Sequence, residues 1–184
     1  MQLMAKYYTG IGSRETPVDI KLIMAKIGYK MASFGYTLRS GAAYGADESF
    51  EKGCDEFGGD KEIYLPWKYF NNHRSNLFKV SAAAMDTVNE FHPTGNRLKE
   101  ASRKLMARNA YQILGSDLKT PSKIVICWTP DGKLIGGTAQ AIRIANHYNI
   151  PVYNLAVDED CEELFLKLGI IEDVNETIRA TVAY

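Results

Sequence analysis

Short apolar runs alternate with longer amphipathic segments along the chain. Five short runs rich in β-branched or aromatic residues predict strands, at residues 6–11, 36–39, 62–65, 123–128 and 152–155. Between these runs, apolar residues recur at spacings of three and four, which predicts helices. Strands that alternate with helices predict an α/β fold, a three-layer sandwich with a mainly parallel sheet.

Particular residues indicate where the helices begin and end. Pro17 suits the first turn of the first helix, with Thr16 as its N-cap, and Gly35 ends that helix. The other helices are predicted at residues 46–57, near 81–89, at 98–114 and from residue 136 onward. The acidic segment 158–163 suits the start of a last helix, where it complements the helix dipole.

The length and the charge balance limit the class of protein. The 184 residues predict one large domain spanning residues 1–184, and 46% hydrophobic residues suffice for a real core. Lysine plus arginine and aspartate plus glutamate each number 22, so the net charge is zero, which argues against non-specific coating of DNA. No apolar run is long enough to cross a membrane, and the N-terminus does not resemble a signal peptide. We therefore expect a cytoplasmic protein.

The cysteines and histidines give no metal or disulfide pattern. Cys54, Cys127 and Cys161 are odd in number and follow no pairing motif, which is typical of reduced thiols. The three histidines are scattered along the chain. We therefore expect no metal site and no cofactor.

Glycine-rich loops follow the first, second and fourth predicted strands, at residues 10–16, 40–45 and 136–138. Because the carboxyl ends of parallel strands share one edge of a sheet, these loops should meet there. The start of a helix offers free amides and a favourable dipole to an anion, and glycine allows close approach. Residues expected to bind a nucleotide are Gly10, Gly12, Ser13, Arg14, Thr16, Ser40, Gly41, Gly45, Asp47, Trp128, Gly136, Gly137 and Thr138, together with Arg108 and Asn109.

The long predicted helix carries a cation beside its apolar face. Arg108 and Gln112 are one turn apart and adjoin the apolar stripe, so the guanidinium should point toward the sheet and the ligand edge. The catalytic candidates are Arg108 and the acids Asp47, Glu48 and Asp131 near the glycine loops. None of these acids forms a recognisable catalytic pair.

An aromatic and polar segment at residues 66–74 interrupts the alternation of strands and helices. It contains Trp67, Tyr69 and Phe70 beside asparagine, histidine and arginine. Two interpretations stay open at this point. The segment is either a lid that covers a base or a satellite hydrophobic cluster.

Four motifs together resemble the SLOG superfamily, which has Rossmann-like domains and includes the DprA DNA-processing proteins and the LOG phosphoribohydrolases. GIGSRETP (10–17) is similar to its first-strand GSR motif, and RSGAAYGAD (39–47) resembles the DprA-type SGxAxGxD signature. PDGKLIGGTAQA (130–141) is similar to an expanded LOG-type PGGxGTxxE, and LMARNAYQ (105–112) is placed like the helix with the catalytic arginine. The overall likeness is to uncharacterised phage-type members.

The resemblance implies a Rossmann-like fold and, at Arg108, the position of the LOG-type arginine. The sequence departs from the LOG pattern at two positions. Ala141 stands where the catalytic glutamate would fall, and Asn109 stands where a lysine usually follows the arginine.

We therefore expect a protein that binds a small phosphorylated nucleotide or an ADP-ribose-like molecule, as a sensor or a sequestering protein. The first alternative is an N-glycosidic hydrolase or transferase acting on nucleoside 5′-monophosphates. The second alternative is single-stranded DNA binding in the manner of DprA. The apolar residues of the long helix allow a homodimer without requiring one, and no membrane partner is expected.

Overall fold

The computed structural model describes residues 5–170, which form a five-stranded, all-parallel sheet with helices on both faces. The strands are β1 (Lys6–Gly10), β2 (Tyr36–Ser40), β3 (Lys61–Ile63), β4 (Val125–Cys127) and β5 (Val152–Asn154). The helices are α1 (Val18–Ser33), α2 (Ala46–Phe57), α3 (Ala82–Phe91), α4 (Glu100–Leu114), α5 (Gly136–His147) and α6 (Asp158–Leu168). The predicted α/β class and parallel sheet are confirmed.

The strand order is β3-β2-β1-β4-β5. The chain first runs outward from β1 and then returns to pair β4 with the other side of β1. This reversal opens a crevice at the carboxyl ends of β1 and β4, the usual ligand position in open parallel sheets. The fold thus determines where a site is to be sought.

Two apolar layers enclose the sheet. On one face, α1, α2 and α6 pack on side chains such as Tyr8, Leu38 and Ile126. On the other face, α4 and α5 pack on Val125 and Cys127, and α3 packs against α4. Together with the sheet, these helix layers form the predicted three-layer sandwich.

The contact between α1 and α2 depends on two glycines. A Cβ added at Gly28 would lie 2.4 Å from the Phe50 carbonyl oxygen. One added at Gly53 would lie 1.8 Å from the Ala25 carbonyl oxygen. Because neither backbone can give way easily, the two helices approach this closely only with glycine at both positions.

A buried polar cluster joins α4 to the sheet. Arg39 is 2% exposed, and its Nε donates to Glu62 at 2.8 Å. Its guanidinium lies 3.6 Å from the ring centroid of Tyr7 and also donates to the carbonyl of Thr120, in the connection from α4 to β4. The hydroxyl of Tyr64 donates to the same Glu62 carboxylate at 2.7 Å. This cluster, here called the Arg39 cluster, fixes the helix that carries Arg108.

The predicted N-cap of α1 is wrong. Pro17 occupies the N-cap position, and no side chain caps the helix. The hydroxyl of Thr16 instead donates to the Ser13 carbonyl oxygen at 2.7 Å, because the preceding loop turns back on itself. Other boundaries differ slightly: α4 begins after Lys99, which is still extended, and β4 is shorter than the apolar run that predicted it.

Within residues 5–170, no helix combines the length and the apolar character needed to cross a membrane.

Candidate functional site

A cavity of about 430 Å³ lies at the crevice between β1 and β4. Its walls come from the loops after β1, β2 and β4 and from α4, so the three glycine-rich loops all reach it. The lining residues are Ile11, Gly12, Ser13, Arg14, Glu15, Ala43, Asp47, Leu105, Met106, Arg108, Asn109, Gln112, Pro130, Ile135, Gly136, Gly137 and Thr138. The volume falls in the range of small-molecule sites, about 300–1,000 Å³.

The loop after β1 presents an exposed cation at the cavity. Arg14 is exposed, whereas Ser13 is occupied in holding the turn. The Ser13 amide donates to the Trp128 carbonyl oxygen at 3.1 Å, and its hydroxyl accepts the Glu15 amide at 3.1 Å. A Cβ at Gly12 would lie 2.6 Å from that of Ala46, so glycine is required where this loop meets α2.

Two predicted residues near these loops serve packing and strand pairing. A Cβ at Gly10 would lie 2.6 Å from the ring of Phe50, so this glycine makes room for a core aromatic. The hydroxyl of Ser40 is buried and donates to the Gly10 carbonyl oxygen at 2.6 Å. Neither residue lines the cavity.

An acid in the first turn of α2 bonds to the residue that precedes the helix. Glu48 accepts the Gly45 amide at 3.2 Å, which is only half of a capping box because glycine has no side chain to complete it, and Gly45 has a φ of +88°, which favours glycine. Glu48 is therefore a capping residue and lies outside the cavity lining.

Asp47 acts as an internal anion between two of the loops. Asp47 is 3% exposed, its carboxylate accepts the Ala43 amide at 3.3 Å, and the backbone amides of Gly12 and Gly41 also favour its charged form. Burial raises the pKa of Asp47 to about 6, while the charge of Arg108 and the three amides act in the opposite direction. The first two glycine loops thus direct amides at an acid of the protein itself.

Arg108 lies behind this acid and holds the second loop. Its guanidinium donates to the carbonyl oxygens of Gly41 and, at 3.4 Å, Tyr64, and lies 5.8 Å from the Phe70 ring centroid. A Cβ at Gly41 would overlap this guanidinium, so glycine permits the contact. Burial lowers the pKa of Arg108, opposed by Asp47. Its Nε has no hydrogen-bond partner in the described part of the chain.

The N-terminus of α5 opens into the cavity without a capping side chain. Its N-cap residue is Ile135, no side chain caps the helix, and its first turn holds no acid. Gly136, Gly137 and Thr138 all line the cavity, and the amide of Asn109 holds the Gly137 carbonyl oxygen at 2.9 Å. Since the first amides of a helix have no intrahelical partners, they are free to bind an anion here.

Asp131 and Trp128 lie outside the cavity lining. Asp131 is exposed, has a φ of +53° and pairs with Lys133 at 3.0 Å. Trp128 is half-buried and packs against the core of the α1 and α2 face, while its carbonyl holds the first loop. Of the four predicted catalytic residues, the structure brings only Asp47 and Arg108 together at the cavity.

The aromatic segment does not cover the cavity. No residue of 66–74 lines it. Phe70 is buried in the main core, and Trp67 packs against it with ring centroids 5.2 Å apart. The side-chain amide of Asn71 donates to the Ala42 carbonyl oxygen at 2.9 Å, which ties the segment to the second loop. The lid interpretation is therefore wrong, and the segment supports the loop from outside.

An apolar wall of the cavity was missed by sequence reasoning. Leu105 and Met106 line it from α4, and Pro130 and Ile135 line it from the loop before α5. A signal was available, because Leu105 and Met106 lie within one turn of Arg108 on the same helix. Among residues 5–170, no group of three or more histidine, cysteine, aspartate or glutamate side chains is arranged to hold a metal.

The shifted pKa of Asp47 has a consequence for stability. Since folding raises it from 3.8 to about 6, the folded protein holds this proton more tightly. The contribution of Asp47 is thus present below pH 3.8 and lost as the pH rises through about 6. Relative to Asp47→Asn, wild-type protein should lose about 2 kcal/mol of unfolding free energy between pH 4 and pH 7. Urea denaturation of both proteins at several pH values measures this difference. If the unfolding free energies of wild type and Asp47→Asn changed equally with pH, the prediction would be contradicted.

The fold and cavity define a Rossmann-like α/β protein with a crevice site at the switch point of a parallel sheet. Searches against protein-family profiles and against curated proteins found no match.

Two solved structures share the fold. DNA processing protein A from Helicobacter pylori, described with a single-stranded DNA binding mode, has a TM-score of 0.53 and 18% identity, covering 98% of this chain and 81% of its own. The molybdenum cofactor carrier protein of Chlamydomonas reinhardtii has a TM-score of 0.50 and 16% identity, covering 95% of this chain and 99% of its own. At these identities the similarity establishes the fold alone.

Proposed function

We propose that this protein binds a small phosphorylated nucleotide or an ADP-ribose-like molecule, as a sensor or a sequestering protein. The observation that carries the proposal is the uncapped N-terminus of α5, which opens into the cavity. Gly136 and Gly137 leave its backbone accessible, and Arg14 adds a cation at the same cavity. Charge-assisted hydrogen bonds contribute about 1.5–3 kcal/mol each, so two or three of them support micromolar binding.

The apolar wall suits the uncharged part of such a ligand. Leu105, Met106 and Ile135 offer surface for a base, while the phosphate lies against the first turn of α5. The polar side chains of Asn109 and Gln112 also line the cavity and suit the hydroxyls of a ribose. A site with one anionic end and one apolar wall favours an amphipathic ligand such as a nucleotide.

We also propose that the chain belongs to the SLOG superfamily, which the four sequence motifs and the shared Rossmann-like fold support. The likeness to phage-type members rests on the sequence motifs alone, and the cytoplasmic location remains a prediction from the sequence. The loops of the first two motifs meet at Asp47 in this chain. In the proposed site they shape the cavity, and α5 binds the phosphate.

The second candidate function is hydrolysis or transfer at a nucleotide N-glycosidic bond. It is favoured by Asp47, a buried acid in the cavity whose pKa of about 6 suits proton transfer near neutral pH. Ala141 stands where the LOG-type glutamate would fall, and it is fully buried in the apolar layer formed by α4, α5 and β4. This position therefore contributes to packing and provides no acid. Asp47 would then be the acid, with Arg108 beside it.

The third candidate function is binding of single-stranded DNA. The similar Helicobacter pylori protein is described by that property, and Arg97 and Lys99 add exposed cations near the start of α4. Binding of this kind weakens steeply with salt, whereas a mononucleotide enclosed in a cavity is less sensitive.

Titration calorimetry with AMP, ADP-ribose and a short oligothymidylate, each at low and moderate salt, tests the three functions. The proposed function requires micromolar binding of AMP or ADP-ribose that survives added salt, with no free base on chromatography of the mixture. Release of base that is lost in Arg108→Ala would establish the enzyme instead. Tight, salt-sensitive binding of the oligonucleotide without mononucleotide binding would establish the DNA-binding alternative.

A further inference from the structure

Asp47 and the open end of α5 line the same cavity. The Asp47 carboxylate is 3% exposed and is held by amides from two loops, so it cannot turn away from a ligand into solvent. An anion that enters the cavity to reach Gly137 and Thr138 therefore lies in the same cavity as this buried acid. Two negative charges placed in this way repel each other, and the repulsion grows as water is excluded.

The other charged groups around Asp47 offset this repulsion only in part. From α4, the charge of the buried Arg108 favours the ionised form of Asp47, but burial of the carboxylate has the larger effect, and the guanidinium itself donates to the Gly41 and Tyr64 carbonyls. From the first loop, Arg14 and Glu15 are exposed and opposite in sign. On α2 itself, the neighbouring acid Glu48 is turned to the Gly45 amide. The first turn of α5 contributes no acid or base.

We propose that the cavity takes up a proton together with its anionic ligand, and that Asp47 is the group that accepts the proton. This inference rests on the proposed function and specifies how the same site is regulated. The proton comes from solvent and binds a carboxylate oxygen of Asp47, so no other bond is made or broken. The neutral acid has an O–H, which lets it donate to a ligand oxygen instead of repelling it.

The direction of the pH dependence follows from linkage. In the free protein the pKa of Asp47 is about 6, because burial outweighs the amides and Arg108. A nearby anion raises that pKa further, since it disfavours the charged carboxylate. The liganded form therefore holds more protons, and affinity rises as the pH falls toward 6. A further rise of one pKa unit corresponds to about a tenfold gain in affinity.

Calorimetry in two buffers of different ionisation enthalpy measures the proton uptake directly. ADP-ribose is the first probe, because its doubly esterified diphosphate keeps one charge state, unlike a phosphate monoester with a second pKa of about 6. AMP is the second probe. Proton uptake on AMP binding to the Asp47→Asn variant measures the titration of the AMP phosphate itself, and this amount is subtracted from the uptake by the wild-type protein. For a rise of one pKa unit we expect uptake of about 0.4 proton near pH 7, and affinity about fivefold weaker at pH 8 than at pH 6.

Asp47→Asn should bind with almost no proton uptake and with affinity that changes less than about twofold over the same pH range. If this variant does not fold, Glu15→Gln replaces it, because Glu15 is the other carboxylate of the cavity. Proton uptake that persists in Glu15→Gln supports Asp47 as the group that accepts the proton. Binding without proton uptake, or equal uptake in Asp47→Asn, overturns the inference while the proposed function stands. No binding of either nucleotide at any pH overturns both.

Discussion

Replacing Gly137 with aspartate should weaken the binding of AMP by about a hundredfold or more. Gly137 lines the cavity in the first turn of α5, and a Cβ there would meet only the end of Met106, at 3.4 Å. The new carboxylate fits and lies where the phosphate should bind, so the ligand loses its hydrogen bonds and meets a like charge. Titration calorimetry with AMP measures the loss.

The same substitution should not weaken the fold. An acid in the first turn complements the helix dipole by about 0.3–1 kcal/mol, and aspartate replaces a poor helix former. The neutral control Gly137→Asn should lose much less affinity. A second control, Asn146→Asp, adds the same charge at the far, exposed end of α5 and should leave binding nearly unchanged. Equal affinity in Gly137→Asp and wild type would place the ligand elsewhere.

Replacing Arg39 with methionine should lower the unfolding free energy by about 3–5 kcal/mol, nearer the lower figure because Glu62 is partly exposed. Arg39 is buried against Tyr7 and is paired with Glu62. Its loss leaves a carboxylate without its cation and a Thr120 carbonyl without its donor. Urea denaturation measures the effect.

Two comparisons separate the Arg39 cluster from a general effect of removing arginine. The exposed Arg97→Met should change stability by less than about 0.5 kcal/mol. The double variant Arg39→Met, Glu62→Gln should be more stable than the sum of its single losses, because the carboxylate left without a cation is removed as well. If the double variant shows only additive losses, the Arg39–Glu62 pair does not account for the stability of this layer.

The layers and strand direction could be predicted from the sequence because they depend on local periodicity. Helix α2, for example, was predicted with its observed bounds, since an amphipathic run ends at Gly58, which adopts a left-handed conformation. The cap of α1 could not be predicted in this way. Thr16 has the right residue type, but the turn of its loop gives the hydroxyl a different partner.

The candidate site depended on contacts between distant segments, and sequence reasoning reached it only in part. The meeting of three loops follows from parallel strand geometry alone. No local pattern indicates that Asp47 would be buried between the first two loops, where it accepts the Ala43 amide and where the Gly12 and Gly41 amides favour its charged form. That contact depends on how α2 packs beside β1, and it changes the first two loops from phosphate binders into supports.

The aromatic segment illustrates a second limit. Its composition suits a lid as well as a packed cluster, and composition does not decide between them. Two residues decide that the segment packs as a cluster. Phe70 is buried in the core next to the Arg108 guanidinium, and the side chain of Asn71 donates a hydrogen bond to the second loop. Tertiary contacts of single side chains thus decide the role of the whole segment.

A crystal structure of the protein with AMP bound tests the central claim most directly. We predict the phosphate at the start of α5, within hydrogen-bonding distance of the Gly137 and Thr138 amides, with the base against Leu105 and Met106. A phosphate held by the Gly12 and Gly41 amides in place of Asp47, or a nucleotide outside this cavity, would contradict it.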